Sequence, residues 1–278
     1  MFCKALNILV VGHNEVNRDV AAMFLETEGH TIKTALNGLG ALKILGKETF
    51  DCILMDIQMP KMNGMTATRC IRACEQKTMT LQSEQEHGEL LKYLHKKLCG
   101  SYAPIIALTA NVFQQDKQKH LKVGMDGFLG NPMRQQEILQ ALNILTCNTT
   151  THPEKTNVPL QTKADLIEDR SVAGIKKCLQ TTYALTSKQI NKLFKSSVHC
   201  IQEDLEALAQ AWEIEIKTEL AESAHKLKGT LATLGLVELT QKAQQIQHAA
   251  EKNEDRDYEQ IIGGIREELK HLLEGNHA

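Results

Sequence analysis

Ala224-His225-Lys226-Leu227-Lys228-Gly229 stands inside a long helical pattern. Spacings of three and four residues place His225, Lys228 and Gly229 on one helix face. The apolar stripe lies on another face and contains Leu220, Ala224, Leu227, Leu231 and Leu234. We therefore expect an exposed imidazole beside a cation and a residue without a side chain. Such an imidazole can accept a phosphoryl group, the lysine can neutralise it, and the glycine lets another protein approach closely.

Three further apolar stripes with helical spacing accompany this stretch in the second half of the chain. The first contains Ile190, Leu193, Phe194, Val198, Ile201, Leu205 and Leu208, and the second contains Leu239, Ala243, Ile246 and Ala250. The third contains Ile261, Ile262, Ile265, Leu269 and Leu272. Helices that each carry one apolar face can bury those faces against one another, so this half is predicted to form an all-α four-helix bundle.

The first half alternates short β-rich runs with helical segments. Strands are predicted at Ile8–Val11, Thr31–Ala35, Cys52–Met55, Ile105–Leu108 and Phe128–Leu129. This alternation predicts an α/β doubly wound five-stranded parallel sheet with helices on both faces. Functional side chains of such sheets gather at the carboxyl ends of the strands, where residues 11–13, Asp56, Thr109 and Asn131 fall.

Residues 146–165 contain two prolines and three consecutive threonines, with little apolar periodicity. This composition is typical of a flexible linker. We therefore predict a domain over residues 1–146, a linker over 147–165 and a second domain over 166–278.

The composition excludes several classes of protein. The net charge of −2 and the pI of about 6.6 argue against a nucleic-acid partner. Eight cysteines without a Cys-x-x-Cys pair suit a reducing, cytoplasmic setting. Apolar runs stay short of ~20 residues, so no membrane segment is expected. Neither a P-loop nor a dinucleotide fingerprint is present, so we expect no ATP-binding kinase domain in this chain.

The sequence His225-Lys226-Leu227-Lys228-Gly229 resembles the phosphoacceptor motif of histidine phosphotransfer (HPt) domains, which are four-helix modules of phosphorelays. The resemblance covers roughly residues 166–278. In that family a glutamine on the next helix, 22 residues after the acceptor, holds the imidazole by a hydrogen bond. The resemblance thus implies that His225 is the acceptor and Lys228 an electrostatic helper. It also implies that Gly229 is the contact glycine and Gln247 the orienting group.

The first half resembles a response-regulator receiver domain. The matching segments are Ile8–Val11, Leu54–Met65 and Ala107–Asn111. Receivers take a phosphoryl group from a phosphohistidine onto an aspartate, which the resemblance places at Asp56. Thr109 matches the switch hydroxyl of the family and Phe128 its aromatic switch position.

Two parts of the receiver site are missing from this sequence. Receivers place two acidic residues after the first strand to hold Mg²⁺, but this chain has Gly12 and His13 there. Asn131 replaces the lysine that normally precedes a proline after the fifth strand. Because Mg²⁺ prefers hard oxygen ligands, only Asp56 and the backbone carbonyl of Gln58 remain as donors, so stable metal binding is not expected.

We therefore interpret residues 1–146 as a pseudo-receiver in which Asp56 pairs with a protonated His13. The competing interpretation keeps Asp56 as a weak acceptor with a loosely held cation. A second departure is an insertion at about 75–101, whose amphipathic segment Glu89–Leu98 is predicted to be helical. Its leucines are expected to cover the sheet edge, and the alternative is a contact with a partner or a second copy.

Three functions follow from these features. In the first, His225 carries a phosphoryl group between aspartates of partner receivers, the partner supplies Mg²⁺, and the pseudo-receiver regulates or recruits. In the second, the chain is an interaction scaffold without catalysis. In the third, Asp56 relays internally to His225. The expected partners are response-regulator receiver domains and a histidine kinase, with a homodimer possible.

Overall fold

The computed structural model describes residues 5–76, 84–109, 114–130, 133, 135–147 and 170–274. The chain splits into two compact units, and the main boundary between them falls at residues 161 and 162. Residues 148–165 of the predicted linker and 77–83 of the predicted insertion lie outside the described residues. Along the described ranges, we find no helix with both the length and the low polarity needed to cross a membrane.

In the described part of the N-terminal unit, five parallel strands form one sheet in the order β2-β1-β3-β4-β5. The strands are β1 (Asn7–Val11), β2 (Thr31–Ala35), β3 (Cys52–Asp56), β4 (Ile105–Thr109) and β5 (Gly127–Gly130). Each overlaps one predicted β-rich run, so the α/β doubly wound sheet is confirmed. β1, β3 and β4 lie inside the sheet with both faces covered, which explains their continuous apolar sequences.

Helices cover both faces of this sheet. They are α1 (Glu15–Thr27), α2 (Gly38–Leu45), α3 (Gly64–Glu75), α4 (Glu84–Leu98), α5 (Gln114–Lys122) and α6 (Gln135–Cys147). Because successive strand residues point to opposite faces, Leu9 and Val11 enter a core beneath α2 and α3. Ile8 and Val10 enter a second core beneath α1 and α6.

Helix α4 is the predicted insertion helix. Its residues Leu91, Leu94 and Leu98 are buried and join the core beneath α2 and α3, so they extend that core instead of covering the edge of the sheet. His95 Nδ1 lies 3.0 Å from the carbonyl oxygen of Cys74 on α3. Burial raises the pKa of the Cys74 thiol to about 12, so Cys74 packs as a protonated, apolar group.

Arg72 on α3 ties together the loops around β4 and β5. Its Nε donates to the carbonyl oxygen of Gly124 at 2.8 Å, and its Nη1 donates to the carbonyl oxygen of Ala103 at 3.0 Å. The guanidinium also pairs with Glu75 Oε2 at 2.5 Å and with Asp126 Oδ2 at 2.7 Å. Charge-assisted hydrogen bonds of this kind fix the segment that follows the insertion to α3.

Residues 170–274 of the C-terminal unit contain five helices. They are α7 (Val172–Tyr183), α8 (Ser187–Glu213), α9 (Lys217–Thr233), α10 (Val237–Glu251) and α11 (Tyr258–Glu274). Neighbouring pairs in the series α8, α9, α10 and α11 pack together, and α11 returns to α8, which closes the predicted bundle. The four predicted stripes are buried, except that Ile261 is half-buried.

Local signals explain where α8 begins and ends. Thr186 and Gln189 form a capping box at its start, a device that contributes about 0.5–2 kcal/mol to helix stability. Glu215, with φ of 56°, terminates the helix in the turn before α9. The single tryptophan of the chain, Trp212, lies near this end, with its ring centroid 5.1 Å from that of Tyr258.

Candidate functional site

Helix α9 places the predicted acceptor histidine beside the bundle core. Ala224, Leu227 and Leu231 are fully buried, whereas His225 lies off that stripe and is half-buried. Lys228 follows one helical turn later, and Gly229 continues the helix, with its carbonyl oxygen accepting from Thr233 Oγ1 at 3.1 Å. The imidazole is therefore not packed inside the bundle.

The structure brings His225 and Gln247 together from adjacent helices. Nδ1 of His225 lies 3.3 Å from Oε1 of Gln247 on α10. An amide oxygen only accepts hydrogen bonds, so in this contact Nδ1 must carry the ring proton. In the neutral imidazole the lone pair then resides on Nε2, which is the nucleophilic nitrogen of this tautomer.

Lys228 and Glu251 complete a polar network around the same amide. Nζ of Lys228 donates to Oε1 of Gln247 at 2.7 Å, and this lysine is buried although the sequence places it off the apolar stripe. Nε2 of Gln247 donates to Oε1 of Glu251 at 2.7 Å. Sequence reasoning missed Glu251, although its position four residues after Gln247 places both on one helix face.

A second set of predicted residues gathers at the carboxyl ends of β1, β3 and β4 in the other unit. Asp56 is the last residue of β3 and Thr109 the last of β4, while Gly12 and His13 directly follow β1. The parallel register pairs Val11 with Met55 and Asp56 with Leu108, which sets these ends side by side.

The loop after Asp56 folds back tightly onto the strand end. The backbone N–H of Gln58 donates to Asp56 Oδ1 at 3.2 Å, and that of Gly64 donates to the carbonyl oxygen of Ile57 at 3.0 Å. A Cβ on Gly64 would lie 2.1 Å from the carbonyl oxygen of Asp56, so only glycine fits here. Asn63 then caps α3 by accepting from the Thr66 N–H at 2.8 Å.

His13 and Asp56 are in direct contact. Nδ1 of His13 lies 3.1 Å from Oδ2 of Asp56, which matches the pairing that the sequence suggested. Both Asp56 oxygens therefore have partners, since Oδ1 accepts from Gln58. The aspartate is held by the protein's own groups at the position where the sequence predicts a phosphoryl acceptor.

Comparison with known families identifies both units. The sequence matches the family model for the response regulator receiver domain over residues 8–83 and that for the Hpt domain over residues 193–275. The chain joins a response regulator receiver domain to an Hpt domain.

Known proteins with similar sequences include histidine kinases. Probable histidine kinase 1 of Oryza sativa subsp. indica is 38% identical over 143 residues, which cover 49% of this chain and 15% of that protein. Aerobic respiration control sensor protein ArcB of Escherichia coli O157:H7 is 26% identical over 272 residues, covering 97% of this chain and 31% of ArcB. The chain thus spans less than a third of either relative.

Among solved structures, the receiver domain of sensor histidine kinase PA1611 from Pseudomonas aeruginosa PAO1 is 30% identical, with a TM-score of 0.40. That match covers 52% of this chain and 100% of the PA1611 domain. The presence of a receiver and an Hpt domain supports a role in phosphorelay signal transduction.

Among the described residues at the carboxyl ends of β1, β3 and β4, Asp56 is the only acidic side chain, whereas Mg²⁺ prefers several hard oxygen ligands. Gly12 has no side chain, and the imidazole of His13 occupies one oxygen of Asp56. Mg²⁺ demands near-octahedral oxygen coordination and keeps several waters, which a single, already paired carboxylate supports poorly. The residues present therefore do not fit the divalent cation that the receiver family uses.

The remaining predicted receiver positions have different outcomes. Thr109 is buried at the end of β4. Phe128 on β5 is 6% exposed and packs into the core beneath α2 and α3, so its ring faces inward. Asn131 lies outside the described residues. The switch roles of Thr109 and Phe128 remain predictions.

Proposed function

We propose that the Hpt domain carries a phosphoryl group on His225 between aspartates of partner receiver domains. The observation that carries this proposal is the 3.3 Å contact between His225 Nδ1 and Gln247 Oε1. It holds the ring in the tautomer whose Nε2 is nucleophilic, and a positioned nucleophile of this kind is the main requirement for phosphoryl transfer.

Phosphoryl transfer to His225 needs no reagent other than the phosphorylated partner receiver. The Nε2 lone pair of His225 attacks the phosphorus of the partner's aspartyl phosphate in line. An N–P bond forms, the P–O bond to the aspartate breaks, and its electron pair leaves on the carboxylate. The ring becomes an imidazolium that keeps its proton on Nδ1, and the hydrogen bond to Gln247 strengthens because its donor is now charged.

Lys228 supplies positive charge near the transferred group. Its Nζ lies 2.7 Å from the same Gln247 oxygen that contacts the His225 ring, so the ammonium and the imidazole are neighbours. Charge stabilisation of the phosphoryl oxygens is the other main contribution that a protein makes to this reaction. The partner receiver holds Mg²⁺ with its own acidic residues. The group then passes to the aspartate of another receiver by the reverse step.

The N-terminal receiver domain then acts as a pseudo-receiver that regulates the Hpt domain or recruits a partner. The support is the contact between His13 and Asp56 together with the loss of an acidic side chain at Gly12. Both features remove metal-dependent chemistry from Asp56, while the fold and the loop around Gly64 are kept.

A transfer assay tests the proposal. Receiver domains from several hybrid histidine kinases are phosphorylated by their own kinase domains with labelled ATP and mixed with the wild-type chain, with His225→Gln and with Asp56→Ala. We expect the wild type and Asp56→Ala to take up label and His225→Gln to take up none. His248→Gln is the matched control, because His248 is an exposed histidine on α10.

The other outcomes assign the alternative functions. Loss of label in Asp56→Ala would establish an internal relay from Asp56 to His225. Absence of label in the wild type with every receiver tested would favour an interaction scaffold. Label retained by His225→Gln would refute the role of His225 directly.

A further inference from the structure

Glu251 lies behind the imidazole and the amide of the Hpt site. Its Oε1 accepts from Nε2 of Gln247 at 2.7 Å, and Gln247 Oε1 in turn accepts from Lys228 and contacts His225. A carboxylate in the last residue of α10 opposes the dipole of its own helix. The helix therefore gains nothing from an acid at this position, whereas the Gln247 amide gains a hydrogen-bond partner.

The two ends of the Gln247 amide face opposite charges. Lys228 offers only donors and lies at the oxygen, and Glu251 offers only acceptors and lies at the nitrogen. Rotating the amide by half a turn would set its NH₂ group against an ammonium and its oxygen against a carboxylate. The same rotation would present a donor to Nδ1 of His225, which favours the tautomer with the proton on Nε2.

The charges of Lys228 and Glu251 respond differently to a phosphoryl group on His225. If Lys228 turns toward the phosphoryl oxygens to neutralise them, its hydrogen bond to Oε1 of Gln247 weakens. Glu251 accepts from the amide nitrogen, whereas His225 contacts the amide oxygen, and the negative charge of a carboxylate is not attracted to the phosphoryl group. The carboxylate of Glu251 is then the group that keeps the amide oxygen directed at the ring.

We propose that Glu251 is a positioning residue that fixes the orientation of the Gln247 amide and thereby keeps the ring proton of His225 on Nδ1. The proposal rests on the proposed function for its consequence in transfer, but its effect on the tautomer does not require transfer. An aliphatic residue at position 251 removes the acceptor, whereas glutamine restores one through its side-chain oxygen.

Long-range ¹H–¹⁵N NMR of the His225 ring in the full chain tests this inference, with the rate of phosphoryl uptake as a second readout. We expect Glu251→Leu to raise the fraction of the Nε2–H tautomer and to slow uptake about fivefold, the effect of losing one hydrogen bond. Glu251→Gln should restore both readouts toward wild type. Glu206→Leu on α8 is the matched control, since it removes another exposed glutamate.

The tautomer measurement decides the proposal. An unchanged tautomer ratio in Glu251→Leu overturns it, whatever the rate of uptake, and so does an equal shift in Glu206→Leu. If the wild type takes up no phosphoryl group, the proposed function fails, while a tautomer shift confined to Glu251→Leu still supports the positioning role. Because Glu251 is exposed at a helix end, the leucine variant is expected to fold.

Discussion

The contact between His13 and Asp56 is the feature that most changes the chemistry of the receiver domain. With Oδ2 at 3.1 Å from an imidazole nitrogen, the carboxylate has a protein partner where a receiver would present it to a cation. Gly12 removes a further oxygen donor from the same corner of the sheet. The residues at these two adjacent positions thus account for the altered surroundings of the Asp56 carboxylate.

Restoring the acidic pair should restore metal binding. We expect the double variant Gly12→Asp/His13→Asp to bind Mg²⁺ saturably in isothermal titration calorimetry, because it supplies the hard oxygen ligands that Mg²⁺ prefers. Gly12 is not among the described residues with a positive φ, so its backbone conformation does not require glycine. Adding Asp56→Asn to the double variant should abolish the binding. Saturable binding of equal strength by the wild type would contradict the interpretation of the site.

Among individual residues, the sequence predicted the contact between His225 and Gln247 but not the other groups around that amide. The pairing of His225 with Gln247 followed from a family spacing. Glu251 carried no comparable signal, because a glutamate near a helix end usually lies on a solvated face. The burial of Lys228 was also missed, since helical periodicity gives the face of a lysine but not the direction that its long side chain takes.

Among the secondary-structure elements, α3 and the inserted helix α4 show most clearly what an amphipathic pattern leaves open. The pattern predicted the α4 helix and its apolar face. The expectation that this face covers the edge of the sheet differs from the observed packing against α2 and α3, because such packing depends on tertiary contacts. The strands were easier to predict, since buried parallel strands are continuous apolar runs.

Arg72 on α3 should be the residue whose loss most weakens this part of the receiver domain. In Arg72→Leu the buried carboxylate of Glu75 and the half-buried carboxylate of Asp126 lose their cation. We expect the free energy of unfolding to fall by about 3–5 kcal/mol, the usual result of removing one partner of a buried ion pair. Urea unfolding, monitored by hydrogen exchange of the β4 amides, measures this loss. Arg69→Leu, at an exposed position of the same helix, should have little effect.

The loss of unfolding free energy in Arg72→Leu should also depend on pH. Burial already raises the pKa of Glu75 above its ordinary value of 4.5, while Arg72 lowers it, so removing Arg72 should raise it further. A carboxyl whose folded pKa exceeds its unfolded pKa destabilises the fold increasingly as pH rises through that interval. The Arg72→Leu variant should therefore recover part of its stability at pH values below the ordinary pKa of Glu75. A deficit that stays constant on acidification would exclude Glu75 as its cause.

For the molecule as a whole, the question is which of its two domains holds the phosphoryl group. Phosphohistidine is labile in acid and stable in alkali, whereas aspartyl phosphate is hydrolysed in alkali. We expect label on the wild-type chain to survive alkali and to be lost in acid, since the proposed carrier is His225 and Asp56 is already paired with His13. Release of most of the label in alkali would move the carrier role to Asp56.

Trp212 is an intrinsic fluorescent probe of one domain of this chain. It is the single indole of the sequence and lies at the end of α8, against the ring of Tyr258. Its fluorescence therefore originates in the Hpt domain alone. Denaturation curves recorded with selective indole excitation follow the bundle, and the melting of the receiver domain has to be read by another spectroscopy.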